Sequence, residues 1–231
     1  MQQLPLGWRW PAQQRFDSFH AGENGAEVAL LQSAASEDGN AWVFVSGVAG
    51  CGKTHLLIAA CNAAESAQRR AQYVPLRTLT GDRAAIVRGL GGCDVLALDD
   101  VDALAGEREA EHALFDLYNR CRAEGATLLF SAASVAPQVG FTLPDLISRL
   151  SMCTQAPLKA LDDAERREVL RERAEARGFT LDDAVLDFLF NRYARDLGSL
   201  TILLDRIDRE SLAAKRRVTV PFLRGLLGGE I

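Results

Sequence analysis

No stretch of this 231-residue chain is apolar for long enough to cross a bilayer. The N-terminus lacks a charged segment followed by an apolar one, so no secretory leader is expected, and the cytoplasm is the expected location. Basic charge is also short: 26 Lys and Arg against 31 Asp and Glu leave a net charge of −5. That argues against a protein that wraps nucleic acid, because neutralising phosphates needs a basic face. The runs Arg69-Arg70 and Lys215-Arg216-Arg217 stand among acids and read as solvated surface. His20, His55 and His112 have no ligand spacing. The five cysteines (Cys51, Cys61, Cys93, Cys121 and Cys153) are odd in number and none pair at metal-ligand spacing, so reduced thiols are the simple account. Repeats and low-complexity stretches are absent.

What is present is an ordinary soluble composition, 48% hydrophobic and 25% charged. Residues 1–15 have two Pro, two Trp and no period, and read as an exposed or loosely docked tail. Apolar runs at 42–45, 71–76, 94–100 and 126–132 read as strands, and the third of these, DVLALDD, is apolar on both faces, as inside a parallel sheet. Helical spacing fills the intervals: 54–64, 82–88 and 107–123, the last with Ala110, Leu114, Leu117 and Tyr118 on one face. This alternation predicts an α/β fold, a parallel sheet with helices on both faces. From residue 159 the strands stop. Asp162 or Asp163 can cap a helix that Gly178 ends, and further helices are expected at 183–194, 199–214 and from Thr219 onward, with Pro221 near the first turn. The predicted organisation is a tail (1–15), a core (16–158) and an all-helical C-terminal subdomain (159–231).

The chemistry begins at Gly47-Val48-Ala49-Gly50-Cys51-Gly52-Lys53-Thr54. The run matches G-x-x-x-x-G-K-[ST] and lies between a predicted strand and a predicted helix, the context this pattern needs. The glycines let successive N–H groups curl inward on a phosphate, and the helix N-terminus adds partial positive charge. Lys53 is expected to reach the β and γ phosphates and Thr54 to bind Mg²⁺, with Cys51 a small filler. The second half is DVLALDDVD, where Asp99 ends an apolar strand and can hold Mg²⁺ through water while Asp100 is placed to orient an attacking water.

A phosphate loop in a parallel sheet followed by a helical tail points to an AAA+ ATPase with a lid. FDSFHAGEN (16–24) resembles the segment that opens the AAA+ domain of the replication initiator DnaA and its shorter relatives. GKTHLLIAACNA, YVPL, ALFDLYNRC, LPDLISRL and VTVPFLRGLL together resemble the short DnaA-related regulators of replication initiation, over nearly the whole chain from Phe16 to Leu227. DnaA itself carries a basic helix-turn-helix domain and a long N-terminal oligomerisation module; the AAA+ part plus a short tail is what is expected here.

The resemblance implies further roles. Gln3, Leu4 and Leu6 resemble the short motif that docks on the sliding clamp of DNA polymerase III; QLPL folding back on its own body is the other reading. Arg149 matches the family's arginine finger, completing a neighbouring subunit's site; a surface ion pair is the alternative. Phe16 and Phe19 line the adenine pocket or pack in the core, and His55 touches the nucleotide or is structural. Two departures stand out. Ala133 occupies the place of an expected polar sensor after the strand LLF, with Ser131 and Ser134 nearby. Gly198 occupies the place of the lid's sensor arginine, and Arg195, three residues earlier and able to face the same way, is the candidate for a partial replacement. A site missing both should bind ADP or ATP well and hydrolyse it poorly. The implied function is a nucleotide-bound regulator, ADP being the expected ligand. It would dock on the clamp and promote hydrolysis of DnaA-bound ATP, with indirect or weak contact to clamp-loaded DNA, no membrane role and a nucleotide-controlled homo-oligomer. A self-sufficient ATPase, such as a helicase loader or remodeller, and a pure nucleotide-gated adaptor are the competing readings.

Overall fold

The strands form because β-branched and bulky apolar residues alternate between two faces that are both covered. In the computed structural model, which describes residues 14–37, 41–192, 197–214 and 217–227, five strands make one sheet: β1 (Trp42–Ser46), β2 (Ala71–Pro75), β3 (Val95–Asp99), β4 (Thr127–Ala132) and β5 (Thr154–Pro157). Their order is β2-β3-β4-β1-β5, and every described pairing is parallel. Leu96, Leu98, Phe44, Leu128 and Phe130 point to one face, and Val95, Ala97, Val43, Val45 and Leu129 to the other. Helices α1 (Gly25–Ser36) and α2 (Lys53–Ser66) cover the second face; α3 (Arg83–Arg88), α4 (Arg108–Glu124) and α5 (Pro144–Ser151) cover the first.

Three elements, β5, α1 and α5, exceed the sequence expectation. Strand β5, TQAP, is short and three of its four residues are exposed, so it carries no run of buried residues to announce it. Helix α1, GAEVALLQSAAS, is so rich in small residues that its two faces differ little in polarity, and only Leu31, Ala34 and Ala35 are buried. Arg69 also departs from the solvated reading. Its guanidinium donates to the carbonyls of Ala34, Ala35, Glu37 and Asp94 and to the Thr127 hydroxyl. Those carbonyls include the orphaned acceptors at the end of α1, which need such a donor. Arg70 is exposed and pairs with Asp94.

The chain divides into two units between Ala160 and Leu161. The C-terminal unit is helical: α6 (Asp163–Glu175), α7 (Asp183–Arg192), α8 (Leu197–Ala214) and α9 (Val220–Leu227). Asp162 caps α6 in a reciprocal box with Glu165, and Gly178 follows α6 at φ +85°. The unit has its own apolar core, built from Leu170, Val185, Leu186, Leu189, Leu204 and Ile207, among others. Arg173 on α6 and Arg177 just past its end reach Thr201 and Asp205 on α8. Among the described residues no helix is long and apolar enough to cross a membrane.

Candidate nucleotide-binding site

Strand β1 ends at Ser46 and α2 starts at Lys53, so the chain between must turn sharply with little side-chain bulk. Gly50 and Gly52 take φ of +79° and +100°, a region L side chains resist. Gly52 has a second constraint: a Cβ there would lie 2.5 Å from Cε2 of Phe19. At Gly47 a Cβ would meet Cys51 Sγ at 2.7 Å and the Leu158 carbonyl at 2.8 Å. The loop is therefore closed from outside by Phe19 and Leu158 as well as by its own cysteine. Burial pushes the Cys51 thiol up, against the opposing pull of Lys53, so it remains a neutral filler.

Lys53 is 8% exposed, and its ammonium donates to the carbonyls of Gly47 at 2.6 Å and Val48 at 3.2 Å. The cation thus spans the mouth of the loop, with the free N–H groups of the start of α2 beside it. A phosphate chain is what this cradle fits: small residues, a bridging ammonium and a helix N-terminus. Val48 and Ala49 form the exposed lip, Val48 being 59% exposed.

At the head of the sheet, Asp99 is 3% exposed and accepts from Thr54 Oγ1 at 2.6 Å, from Tyr73 Oη at 2.8 Å and from the Ser131 hydroxyl. The Thr54 hydroxyl and the Asp99 carboxylate, hard oxygen donors in contact, suit Mg²⁺. Tyr73 and Ser131 come from the strands either side of β3. Burial, then the adjacent Asp99, push the Tyr73 phenol upward, so it stays a donor. Ser131 also accepts from the Asp100 N–H at 2.9 Å, which fixes the backbone where Asp100 takes a left-handed φ of +56°. The Asp100 carboxylate is not free: Arg77 Nε donates to its Oδ2 at 2.9 Å, and Arg77 Nη2 donates to Asp102 Oδ2 at 2.8 Å.

Sequence reasoning singled out the loop, Asp99 and Asp100 but gave no role to Tyr73 or Arg77 and none to Ser131 beyond proximity. Each reaches the site from a different strand or turn, so no local pattern marks them. Asn24 was missed too. It is 2% exposed and exchanges two hydrogen bonds with the Lys159 backbone, docking the opening segment beside Leu158. Phe16 and Phe19 pack against the core on the α2 face. His55 packs against Phe19 in a tilted arrangement, ring centroids 5.3 Å apart and planes at 52°, and its Nε2 donates to the Arg15 carbonyl at 2.9 Å. Ala133 is exposed. Gly198 lies in the first turn of α8, while Arg195 falls outside the described residues, as do Gln3, Leu4 and Leu6.

Arg149 is in the last turn of α5, half-buried, and among the described residues no carboxylate pairs with it. Leu146 and Leu150 fix α5 on the core.

The chain matches the family model of the bacterial DnaA ATPase domain over residues 11–156 and that of the Hda lid domain over residues 163–227. Domain III of DnaA from Thermotoga maritima superimposes with a TM-score of 0.76 at 21% identity, covering 96% of this chain and 98% of that one. AMPPCP-bound DnaA from Aquifex aeolicus gives 0.69 at 21% identity, over 90% and 69% of the two chains. The RuvB Holliday junction branch migration motor of T. maritima gives 0.63 at 20% identity, over 92% and 70%. Likeness at this level of identity is one of fold, a parallel AAA+ sheet with flanking helices.

Proposed function

The chain belongs to the bacterial DnaA ATPase-domain family of AAA+ proteins, and on that premise we propose that it regulates replication initiation by acting on DnaA rather than by turning over its own nucleotide. It holds ADP or ATP, ADP being the resting ligand, with phosphates on Gly47–Thr54 and Mg²⁺ on Thr54 and Asp99. Residues Gln3, Leu4 and Leu6 dock it on the sliding clamp, and Arg149 enters the site of DnaA-bound ATP to neutralise charge on the transferred phosphoryl group.

The observation that carries this reading is an asymmetry of pairing. The water-orienting carboxylate, Asp100, is engaged by Arg77 within its own chain. Arg149 is engaged by no carboxylate among the described residues. A polar sensor at the Ala133 position is missing as well. The cis site is thus equipped to hold phosphate and poorly equipped to split it, while a cation stands ready for another site.

The test is hydrolysis of DnaA-bound ATP on clamp-loaded DNA with wild type and with Arg149→Ala. A loss of about 10³-fold or more in the stimulated rate is expected, the magnitude typical of an arginine finger. An unchanged rate ends the finger role. Turnover by the isolated protein above about 1 s⁻¹, the rate of a competent kinase-type site, would instead favour a self-sufficient ATPase.

A further inference from the structure

Glu111 is a carboxylate with no exposed surface, in the first turn of a helix that forms no part of the phosphate site. It is far from idle. Oε1 accepts from the Gly106 N–H at 2.8 Å and from the Thr142 N–H at 3.1 Å. Oε2 accepts from the Thr142 N–H and hydroxyl at 2.8 and 2.9 Å and from the Leu143 N–H at 2.8 Å. A single carboxylate therefore joins two loops distant in sequence. The five contacts saturate its acceptor positions, as a buried carboxylate requires.

Both loops lead to functional residues. Gly106 ends the turn that starts at Asp100, and that turn is tied by Ala103 N–H to Asp100 O at 2.9 Å, by Ala105 N–H to Asp102 O at 3.2 Å and by Glu107 N–H to Leu104 O at 3.1 Å. Thr142 and Leu143 immediately precede Pro144, the first residue of α5, and α5 carries Arg149 in its last turn. The backbone path runs from the strand-end carboxylates through hydrogen-bonded turns to Gly106, across Glu111, and into the helix that bears the finger.

We propose that Glu111 is a positioning residue that fixes the finger helix, and so Arg149, against the turn following Asp99 and Asp100. Rearrangement of that turn around a nucleotide's terminal phosphate is passed through Glu111 to the entry of α5. The buried apolar anchors Phe141, Leu146 and Leu150 hold α5 on the core. Apolar contacts are non-directional, and the directed hydrogen bonds at its entry add a constraint on the helix's position along its axis. The inference rests on the finger reading of Arg149.

The test uses the full chain with ATP-loaded DnaA and clamp-loaded DNA. Hydrolysis of DnaA-bound ATP is followed against rising concentrations of wild type, Arg149→Ala, Glu111→Gln and Thr142→Val. Glutamine turns an amide NH₂ toward backbone donors, so Glu111→Gln breaks one half of the joint while keeping its volume. Its maximum stimulated rate is expected to fall at least about tenfold, as for a reacting group misplaced by a fraction of an ångström. The concentration giving half the maximum and the nucleotide carried by the protein itself are expected to stay the same. Thr142→Val, which removes one donor, should fall between. A folding defect has another signature: it lowers the active fraction, so adding more protein restores the maximum. Restoration of that kind, or a full maximum for Glu111→Gln beside an inactive Arg149→Ala, overturns the proposal. A full rate for Arg149→Ala overturns the finger reading first, and the role of Glu111 with it.

Discussion

Arg77 holds Asp100 and Asp102 with two nitrogens of one guanidinium, at 2.9 and 2.8 Å. In the proposed reading Asp100 orients water toward a γ-phosphate, and a carboxylate oxygen that already accepts from a guanidinium has less freedom to hold that water. The pair is partly exposed, with the Arg77 side chain at 55%, so it adds little to stability.

Replacing Arg77 with alanine should therefore raise the protein's own nucleotide turnover. A positioned acid–base group contributes on the order of 10² or more in rate, and release of Asp100 predicts a rise of about tenfold in single-turnover hydrolysis. Thermal stability should change by less than about 1 kcal/mol. A rate that stays level or drops would show that Arg77 does not restrain Asp100.

Gly52→Ala should damage the phosphate loop twice over. The added methyl meets Phe19 at 2.5 Å, and the backbone is at φ +100°. Left-handed backbone costs roughly 1–2 kcal/mol for an L residue. Adding Phe19→Ala removes the clash but leaves the backbone cost. Calorimetry and nucleotide titration of the single and double variants should show partial recovery, and a double variant no better than the single one would mean Phe19 does not close the loop.

Ser131→Ala leaves the Asp100 N–H and one Asp99 oxygen without their partner in a fully buried place. Orphaned buried groups cost about 1–3 kcal/mol. The variant should unfold at lower denaturant concentration and lose Mg²⁺-dependent nucleotide affinity. Affinity measured in chelator should change far less, because the phosphate loop is untouched. Equal losses with and without Mg²⁺ would contradict a role through Asp99.

Acid should loosen the joint at Glu111. Burial pushes its carboxyl up, but the N–H donors of Gly106, Leu143 and Thr142 outweigh burial and hold it below its ordinary value of 4.5. A folded-state value below the unfolded one stabilises fully above the ordinary value, and the contribution fades as pH falls through the lower one. Wild type should thus lose stability below about pH 4.5 more steeply than Glu111→Gln, as read from urea midpoints against pH. Parallel curves would show that Glu111 does not titrate with folding.

Much of this molecule was legible along the chain because its signals are local. Gly47–Thr54 declares itself by its spacing and by the strand and helix that flank it, and the strands from Trp42 and Val95 are continuous apolar runs that only burial on both faces explains. Asp82 and Asp162 cap their helices through bonds to residues three places on, a contact that sequence spacing dictates. Asp99 ends β3 and Asp100 follows it, so both stand at the carboxyl end of the sheet, where ligands gather.

The tertiary structure decided the rest, and the physical reason is the parallel sheet. It sets β2, β3 and β4 side by side although long helical crossovers separate them in sequence. Tyr73, Asp99 and Ser131 thereby meet at one carboxylate, and Arg77 reaches Asp100. None of these meetings has a periodicity, since each depends on strand register. The same holds for Glu111, which sequence spacing marks only as a polar residue early in α4. Packing α4 and the loop before α5 onto one face of the sheet makes it the joint between two loops.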